Sequence, residues 1–491
     1  MAKTPAKPAA AQKAAAKNVA ATSGQPKKGK SPATPVSVPP TSAQAAPGPK
    51  KVRVHYLTRV EGHGNIVVDV EPDGSVSTCR WEVPEAPRFF EAMLVGRDYT
   101  DVHHIVSRIC GICAIGHQLA SLQATEDALN INVSEQTHLL RRLALHAENL
   151  QSHLLHIAYL VLPDLMGVDS ILALAATHKD AVLKFIAARR VSNEFSRIIC
   201  GRTTHPQRMT PGGFTMFPAT EDLVALRGML VETLPNLDFA VDFFAGLMDR
   251  FPKFERETEY VGLVSPAEYA MYWGEIGSTK DERRPVRQYR NISREYIIPT
   301  STAKWTKNVG ESYMVGALAR FNLNADFLMP RAKAAAKKLG LKKGATNPYL
   351  ITVAQLVECV HTVEEAITQV DELLTRGIRE EAPARPSISA GRGTGAVEVP
   401  RGILFHFYEY DDAGRIFQAD CVIPTNQNHG NIQKDLDALV PQLAHASEKE
   451  LELKLSMLVR AYDPCISCST HCIDARGMDD GARSLVRFNR K

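Results

Sequence analysis

Arg108-Ile109-Cys110-Gly111-Ile112-Cys113-Ala114-Ile115-Gly116-His117 and, far along the chain, Asp463-Pro464-Cys465-Ile466-Ser467-Cys468-Ser469-Thr470-His471 each hold a Cys-x-x-Cys pair followed by a histidine. Residues three apart in a helical turn share a face, so each pair can grip one metal with both sulfurs. Thiolates are soft donors that favour zinc, copper(I), iron or nickel over hard cations. Structural zinc modules set their pairs about 15–20 residues apart within one small unit. Here Cys113 and Cys465 are 352 positions apart. A site drawn from both ends of a long chain reads better as a buried active centre assembled by the whole fold, with a four-cysteine zinc site as the alternative.

The 491 residues, 44% hydrophobic and 23% charged, suffice for one large domain or two to three ordinary ones. No run approaches the about 18 consecutive apolar residues of a membrane span. Nine cysteines are too few for a disulfide scaffold and suit a reducing compartment. The net charge of +4 is misleading, because residues 1–50 hold eight lysines and no acid, which leaves −4 on the remainder. Nucleic-acid binding by the folded part is therefore not expected. The Ala, Pro and Lys-rich tail at 1–50 is expected to be disordered. Its lack of an apolar stretch and of arginine argues against a secretory signal or transit peptide.

Between these ends the pattern is mainly helical. Asn65–Val70 and Ser75–Val83 alternate around Pro72-Asp73-Gly74, as a hairpin does. Helical spacing covers about 101–129, interrupted at the first cysteine pair. A long helix is predicted over 135–162, capped by Ser134 and stopped by Pro163. Its histidines (138, 146, 153 and 156) read as packing or solvent-facing residues. Further helices are predicted at 180–199, 220–250, 311–339, 352–379 and 447–461. Pro383 to Pro400 reads as a connection, and 403–410 with 415–423 as a second hairpin. The fold class is predominantly α with small β-hairpins.

Beyond the cysteines, Arg59-Val60-Glu61-Gly62-His63, Pro87-Arg88-Phe89-Phe90-Glu91, His205-Pro206 with Gly212-Gly213, Pro400-Arg401-Gly402, and Val422-Ile423-Pro424-Thr425 with Asn428 also stand out. Together with R-x-C-G-x-C-x-x-x-H and D-P-C-x-x-C-x-x-H, and in this order, they resemble the signatures of nickel–iron hydrogenase large subunits. The resemblance runs from about 53 to 471 and implies one large helical domain over 51–471. It is strongest to soluble cytoplasmic, multi-subunit members.

That resemblance implies a set of roles. Cys110 and Cys465 would be terminal nickel ligands, and Cys113 and Cys468 would bridge nickel to an iron that also carries carbon monoxide and two cyanides. Four thiolates delocalise charge onto nickel and let it change oxidation state. Arg401 would set a permanently charged guanidinium beside the open metal position and one cyanide, and Thr425 would donate to the other. Glu61 would relay protons, its pKa raised by an apolar site. His117 would orient the cluster by hydrogen bonding. Glu91, the backbone carbonyl of Cys421, and His471 would hold magnesium, or iron in its place. Competing readings are a surface arginine at 401 and a salt-bridged glutamate at 61.

Cys79, Cys200 and Cys359 read as isolated apolar thiols. No ferredoxin-type cysteine run exists to carry electrons away. An iron–sulfur small subunit, and further electron-transfer subunits, are therefore implied. Residues 472–491 resemble the extension that a maturation protease removes after His471 in this family, although Cys472 is unusual just past the cut. Three other readings are a hydrogen-sensing regulatory subunit, the related quinone-reductase subunit (which lacks the four cysteines), and a zinc-stapled scaffold.

Overall fold

Asn65–Val83 forms the predicted hairpin. In a computed structural model that describes residues 49–470, β2 (Asn65–Val70) pairs antiparallel with β3 (Val76–Glu82), and β1 (Lys50–Val54) adds a third strand on the free edge of β2. Asp73 Oδ1 accepts the Ser75 amide at 2.9 Å, closing the turn that Gly74 completes at φ +87°. The expectations for most of the tail at 1–50, for His471 and for 472–491 fall outside the described residues.

The helical core is built from α1 (Ala114–Ala128), α2 (Glu135–Leu155), α3 (Lys179–Cys200), α4 (Thr220–Ala245), α5 (Ala317–Asn324) and α6 (Ile351–Arg376). α2 and α4 each pack against both α3 and α6. Ser134 caps α2 as predicted, accepting the Thr137 amide at 3.1 Å. Pro163, however, is not a stop. The chain passes from α2 into a wider π-helical turn, His156–Val161, and Pro163 sits in the first turn of the next segment, Leu162–Met166, where its missing N–H is harmless. The helix expected over 311–339 starts only at Ala317 and breaks before Pro330, which opens a separate helix, Pro330–Lys338.

The stretch 383–400 is not all connection. β4 (Gly391–Val399) is the first strand of an antiparallel sheet with β5 (Gly402–Tyr410) and β6 (Ile416–Val422). Its glycines fit the strand flat on α1: a Cβ at Gly391, Gly393 or Gly395 would stand 2.1, 2.2 and 2.0 Å from the carbonyl oxygens of Ala128, Ala124 and Ala120. Periodicity of 2 on the strand thus meets periodicity of 4 on the helix. After β6 comes a helix that hydrophobic spacing does not announce, α7 (Pro424–Gln442), because its buried run Thr425 to Asn431 is almost wholly polar. α8 (Glu448–Ala461), capped by Ser447, leads to the second cysteine pair. No helix among the described residues is long and apolar enough to cross a membrane.

Candidate metal centre

Both cysteine pairs sit where helices begin. Cys113 is the N-cap of α1, and Cys465 that of a single turn, Ile466–Ser469. A short parallel bridge joins Glu61 to Cys465, with Ile466 N donating to Glu61 O at 2.9 Å, and so ties the N-terminal end of the described chain to its C-terminal end. Gly62 (φ +82°) permits this, since a Cβ there would lie 2.7 Å from Ser467 N. Arg88 holds the first segment, donating to Ile109 O at 2.5 Å and Arg108 O at 3.1 Å, while its own amide bonds Thr470 O at 2.8 Å.

The four sulfurs converge. All are buried and all lie within 4.8 Å of one another. Cys110 Sγ is 3.5 Å from Cys465 Sγ, and Cys113 Sγ 4.0 Å from Cys468 Sγ. Cys465 and Cys468 are close enough to be joined as a disulfide, and ligation by both requires them as thiolates. A buried tetrad of sulfurs fits a soft metal ion. Burial opposes ionisation of Cys110, but bonds from Cys113 and the Arg401 charge draw its thiol below the usual range. Cys113, hydrogen-bonded to Cys110 and buried, is pushed well up.

Around the sulfurs stand the residues singled out in the sequence. Glu61 Oε2 is 3.2 Å from Cys465 Sγ and accepts the Ser467 amide at 3.1 Å. Glu61 is half-buried rather than sealed in an apolar pocket. Thr425 Oγ1 accepts the Cys465 amide at 3.1 Å. Arg401 is no surface arginine: it is 4% exposed. Its Nε donates to Asp463 O at 2.5 Å, Nη2 to Asp463 Oδ1 at 2.7 Å and Nη1 to Ser152 Oγ at 3.2 Å. Arg59, Phe89, His205 and Asp463, one in each of four motifs, hold left-handed backbone at φ 60°, 59°, 56° and 51°. Such conformations are disfavoured for non-glycine residues and gather where surrounding structure imposes them.

His117 Nδ1 lies 3.1 Å from His406 Nε2, whose Nδ1 in turn is 2.6 Å from Tyr408 Oη and 3.6 Å from Cys421 Sγ. Glu91 and Cys421 are brought together, the Cys421 amide donating to Glu91 Oε1 at 2.8 Å. Lys304 stands among Glu91, Glu295 and Asp420 at 3.8, 2.5 and 4.0 Å. Burial pushes the Glu295 carboxyl up to about 7 against the pull of Lys304, and its Oε1 is buried without a hydrogen-bond partner. His153 and His156 are fully buried and face Glu358 and Gln355, at 2.8 and 2.5 Å. Sequence reasoning missed Ser152, Glu148 and Lys304, which carry no local pattern. The carboxylate of Asp463 lay in the quoted D-P-C segment but went without a role.

The family model described as nickel-dependent hydrogenase matches residues 88–194 and 301–471, and one described as HoxL-like matches 51–86. Sulfhydrogenase 1 subunit alpha of Pyrococcus furiosus is 30% identical over 428 residues, which cover 86% of this chain and 98% of the relative. Sulfhydrogenase 2 subunit alpha of the same organism is 32% identical over 423 residues, covering 86% and 99%. Among solved structures, an NAD+-reducing NiFe hydrogenase in the H2-reduced state matches with a TM-score of 0.78 and 27% identity, covering 86% of this chain and 99% of that one. Sequence, fold and the four converging sulfurs agree, and the chain belongs to the nickel-dependent hydrogenase family as a large subunit, an oxidoreductase acting on dihydrogen.

Proposed function

We propose that this chain cleaves dihydrogen reversibly and heterolytically into protons and electrons, at a nickel–iron pair held by Cys110, Cys113, Cys465 and Cys468. The reading rests on one observation: buried sulfurs from opposite ends of the chain meet within 4.8 Å, with a half-buried carboxylate against one of them. Nickel and an iron carrying carbon monoxide and cyanide would supply the redox change and the polarisation of dihydrogen. The protein's part is positioning and proton handling. Cys110 and Cys465 are assigned to nickel alone, Cys113 and Cys468 to both metals. Glu61 Oε2 takes a proton from the sulfur side at Cys465 and, being half-buried, passes it outward. Arg401 has five N–H donors, of which three are held by Asp463 and Ser152; the others are assigned to cyanide and the reacting position. Thr425 accepts the Cys465 amide, which leaves its hydroxyl proton to donate to the other cyanide. His117, bonded to His406, would steady the Cys113 side.

Among the described residues no second group of sulfurs is gathered, so the electrons are assigned to an iron–sulfur partner subunit and further electron-transfer subunits in the cytoplasm. A magnesium ion, or iron, is assigned to Glu91 and the Cys421 carbonyl with His471. What supports the assignment is that Glu91 lies against Cys421, whose amide it accepts at 2.8 Å; the carboxylates of Glu91, Glu295 and Asp420 are already countered by Lys304. A maturation protease is assigned the removal of 472–491, and mass spectrometry of the mature subunit should end at His471; Lys491 on active enzyme would refute this.

Infrared spectroscopy with metal analysis of the purified complex tests the central claim. Bands of metal-bound carbon monoxide and cyanide, with nickel and iron, are expected. Zinc without nickel and no such bands would overturn it in favour of a four-cysteine zinc site.

A further inference from the structure

A helix leaves its first-turn amides without partners, and an N-cap side chain normally accepts one of them. On α1 that cap position is Cys113, which makes no capping bond and whose sulfur lies among the four. The buried amides are taken instead by Glu148, a residue of α2. Ile115 N donates to its Oε2 at 2.7 Å, and Gly116 N to Oε1 and Oε2 at 3.1 and 3.0 Å. Glu148 is 1% exposed. Burial pushes its carboxyl up to about 8, against the Gly116 amide, which favours the anion. Gly116 is what lets the carboxylate approach: a Cβ there would stand 2.7 Å from Glu148 Oε1 and 2.1 Å from Val399 Cγ1. One turn further along α2, Ser152 accepts from Arg401. One face of α2 thus touches both the segment of the first cysteine pair and the guanidinium beside it.

We propose that Glu148 is a positioning residue for the metal centre: it caps α1 in place of Cys113, so that the sulfur of Cys113 stays committed to the metal. The proposal rests on the nickel–iron reading above. A side chain at position 113 that capped its own helix would turn back toward the Ile115 and Gly116 amides, away from Cys468. A cap supplied from α2 removes that competition and fixes α1 against the helix that also holds Arg401.

The test uses the whole purified complex with Glu148→Gln, Glu148→Ala and, as a stability control on the same helix, Leu143→Ala. Nickel release to a chelator, the carbon monoxide infrared band and the thermal midpoint are measured for each. Glu148→Ala should release nickel about tenfold or more faster than the parent, the scale seen when groups that orient metal ligands are lost. Glu148→Gln keeps one acceptor oxygen and should hold nickel but displace the band. Leu143→Ala should lower the midpoint and leave the band in place. A Glu148→Gln band at the parental position with full nickel would overturn the proposal, as would an equal displacement in Leu143→Ala. If Glu148→Ala does not fold, Glu148→Gln decides alone. A parent complex with no carbon monoxide band refutes the nickel–iron reading instead, and Glu148 is then judged on release of the metal that the four cysteines hold, nickel or zinc, which Glu148→Ala should speed and Leu143→Ala should not.

Discussion

Replacing Arg401 with lysine keeps the charge and removes the fork. The guanidinium spans three acceptors, Asp463 O, Asp463 Oδ1 and Ser152 Oγ. A single ammonium nitrogen reaches the Asp463 carboxylate but not the other two in the same pose. Hydrogen bonds from charged groups contribute about 1.5–3 kcal/mol each, so two lost bonds, partly offset by water, give a local loss of about 3 kcal/mol. Asp463 stays paired, so neither folding nor nickel content should fail. Turnover is the sensitive quantity, because losing one fixed donor at the site of developing charge costs about 10²–10³ in rate. Hydrogen-dependent dye reduction by the complex, normalised to nickel, should therefore fall at least about a hundredfold. Full nickel with turnover within about threefold of the parent would show that the guanidinium is structural and refute its place at the reacting position.

Glu61→Gln can still accept the Ser467 amide but cannot carry a proton, so hydrogen binding should persist while exchange of dihydrogen with deuterated water falls about 10²–10⁴-fold; unchanged exchange removes the relay. Gly395→Ala places a Cβ 2.0 Å from Ala120 O and should cost about 1–3 kcal/mol as β4 lifts from α1, read as a lower thermal midpoint; an unchanged midpoint contradicts the glycine-packed interface. Despite burial, Lys304 and Arg290 hold the Asp420 carboxyl down at about 2. Its contribution, about 2 kcal/mol, is therefore complete above the unfolded value of about 4 and lost as pH falls through 2. Urea unfolding between about pH 2 and 5 should show Asp420→Asn with a flatter acid limb than the parent, and parallel limbs would argue against this pair.

The sequence displayed the chemistry more fully than the packing. Cysteine pairs, Glu61, Arg401 and Thr425 lie in short local patterns, so the convergence of the sulfurs followed once both ends were read together. β4 was hidden because its glycines serve an interface with α1 that local composition cannot show. α7 was hidden because its first turns bury amides and imidazole in place of aliphatics. Asn426 Nδ2 donates to Lys304 O at 2.9 Å, and Gln427 Nε2 to Ile403 O at 2.6 Å, so hydrogen bonds replace apolar burial and erase the amphipathic signature. Ser152 and Glu148 could not be singled out, since each draws its role from a partner hundreds of residues away or on another helix.

The buried charges behind Arg401 show what the interior spends its polarity on. Arg320 on α5 is wholly buried and pairs with Glu358 through two bonds of 2.7 Å and with Glu398 at 2.9 Å. Burying such a cluster in place of apolar side chains gives little net stability, because desolvation consumes most of the Coulombic gain. Its geometric effect is specific. The same guanidinium donates to Val399 O at 2.9 Å and Pro400 O at 3.1 Å, the two carbonyls just before Arg401. Glu358 also takes His153 and Tyr269, at 2.8 and 2.7 Å, and His153 neighbours Ser152 on α2. Glu398 accepts the Leu263 amide at 2.7 Å and so anchors the strand from the other side. With Asn149 of α2 donating to Glu398 O at 3.2 Å, the end of β4 is held by directional bonds to three separate elements, and a turn fixed in that way cannot slide as an oil-filled contact could. Arg401, whose charge acts on Cys110 and Cys113, takes its position from that turn, and an apolar core of equal stability would not fix it so.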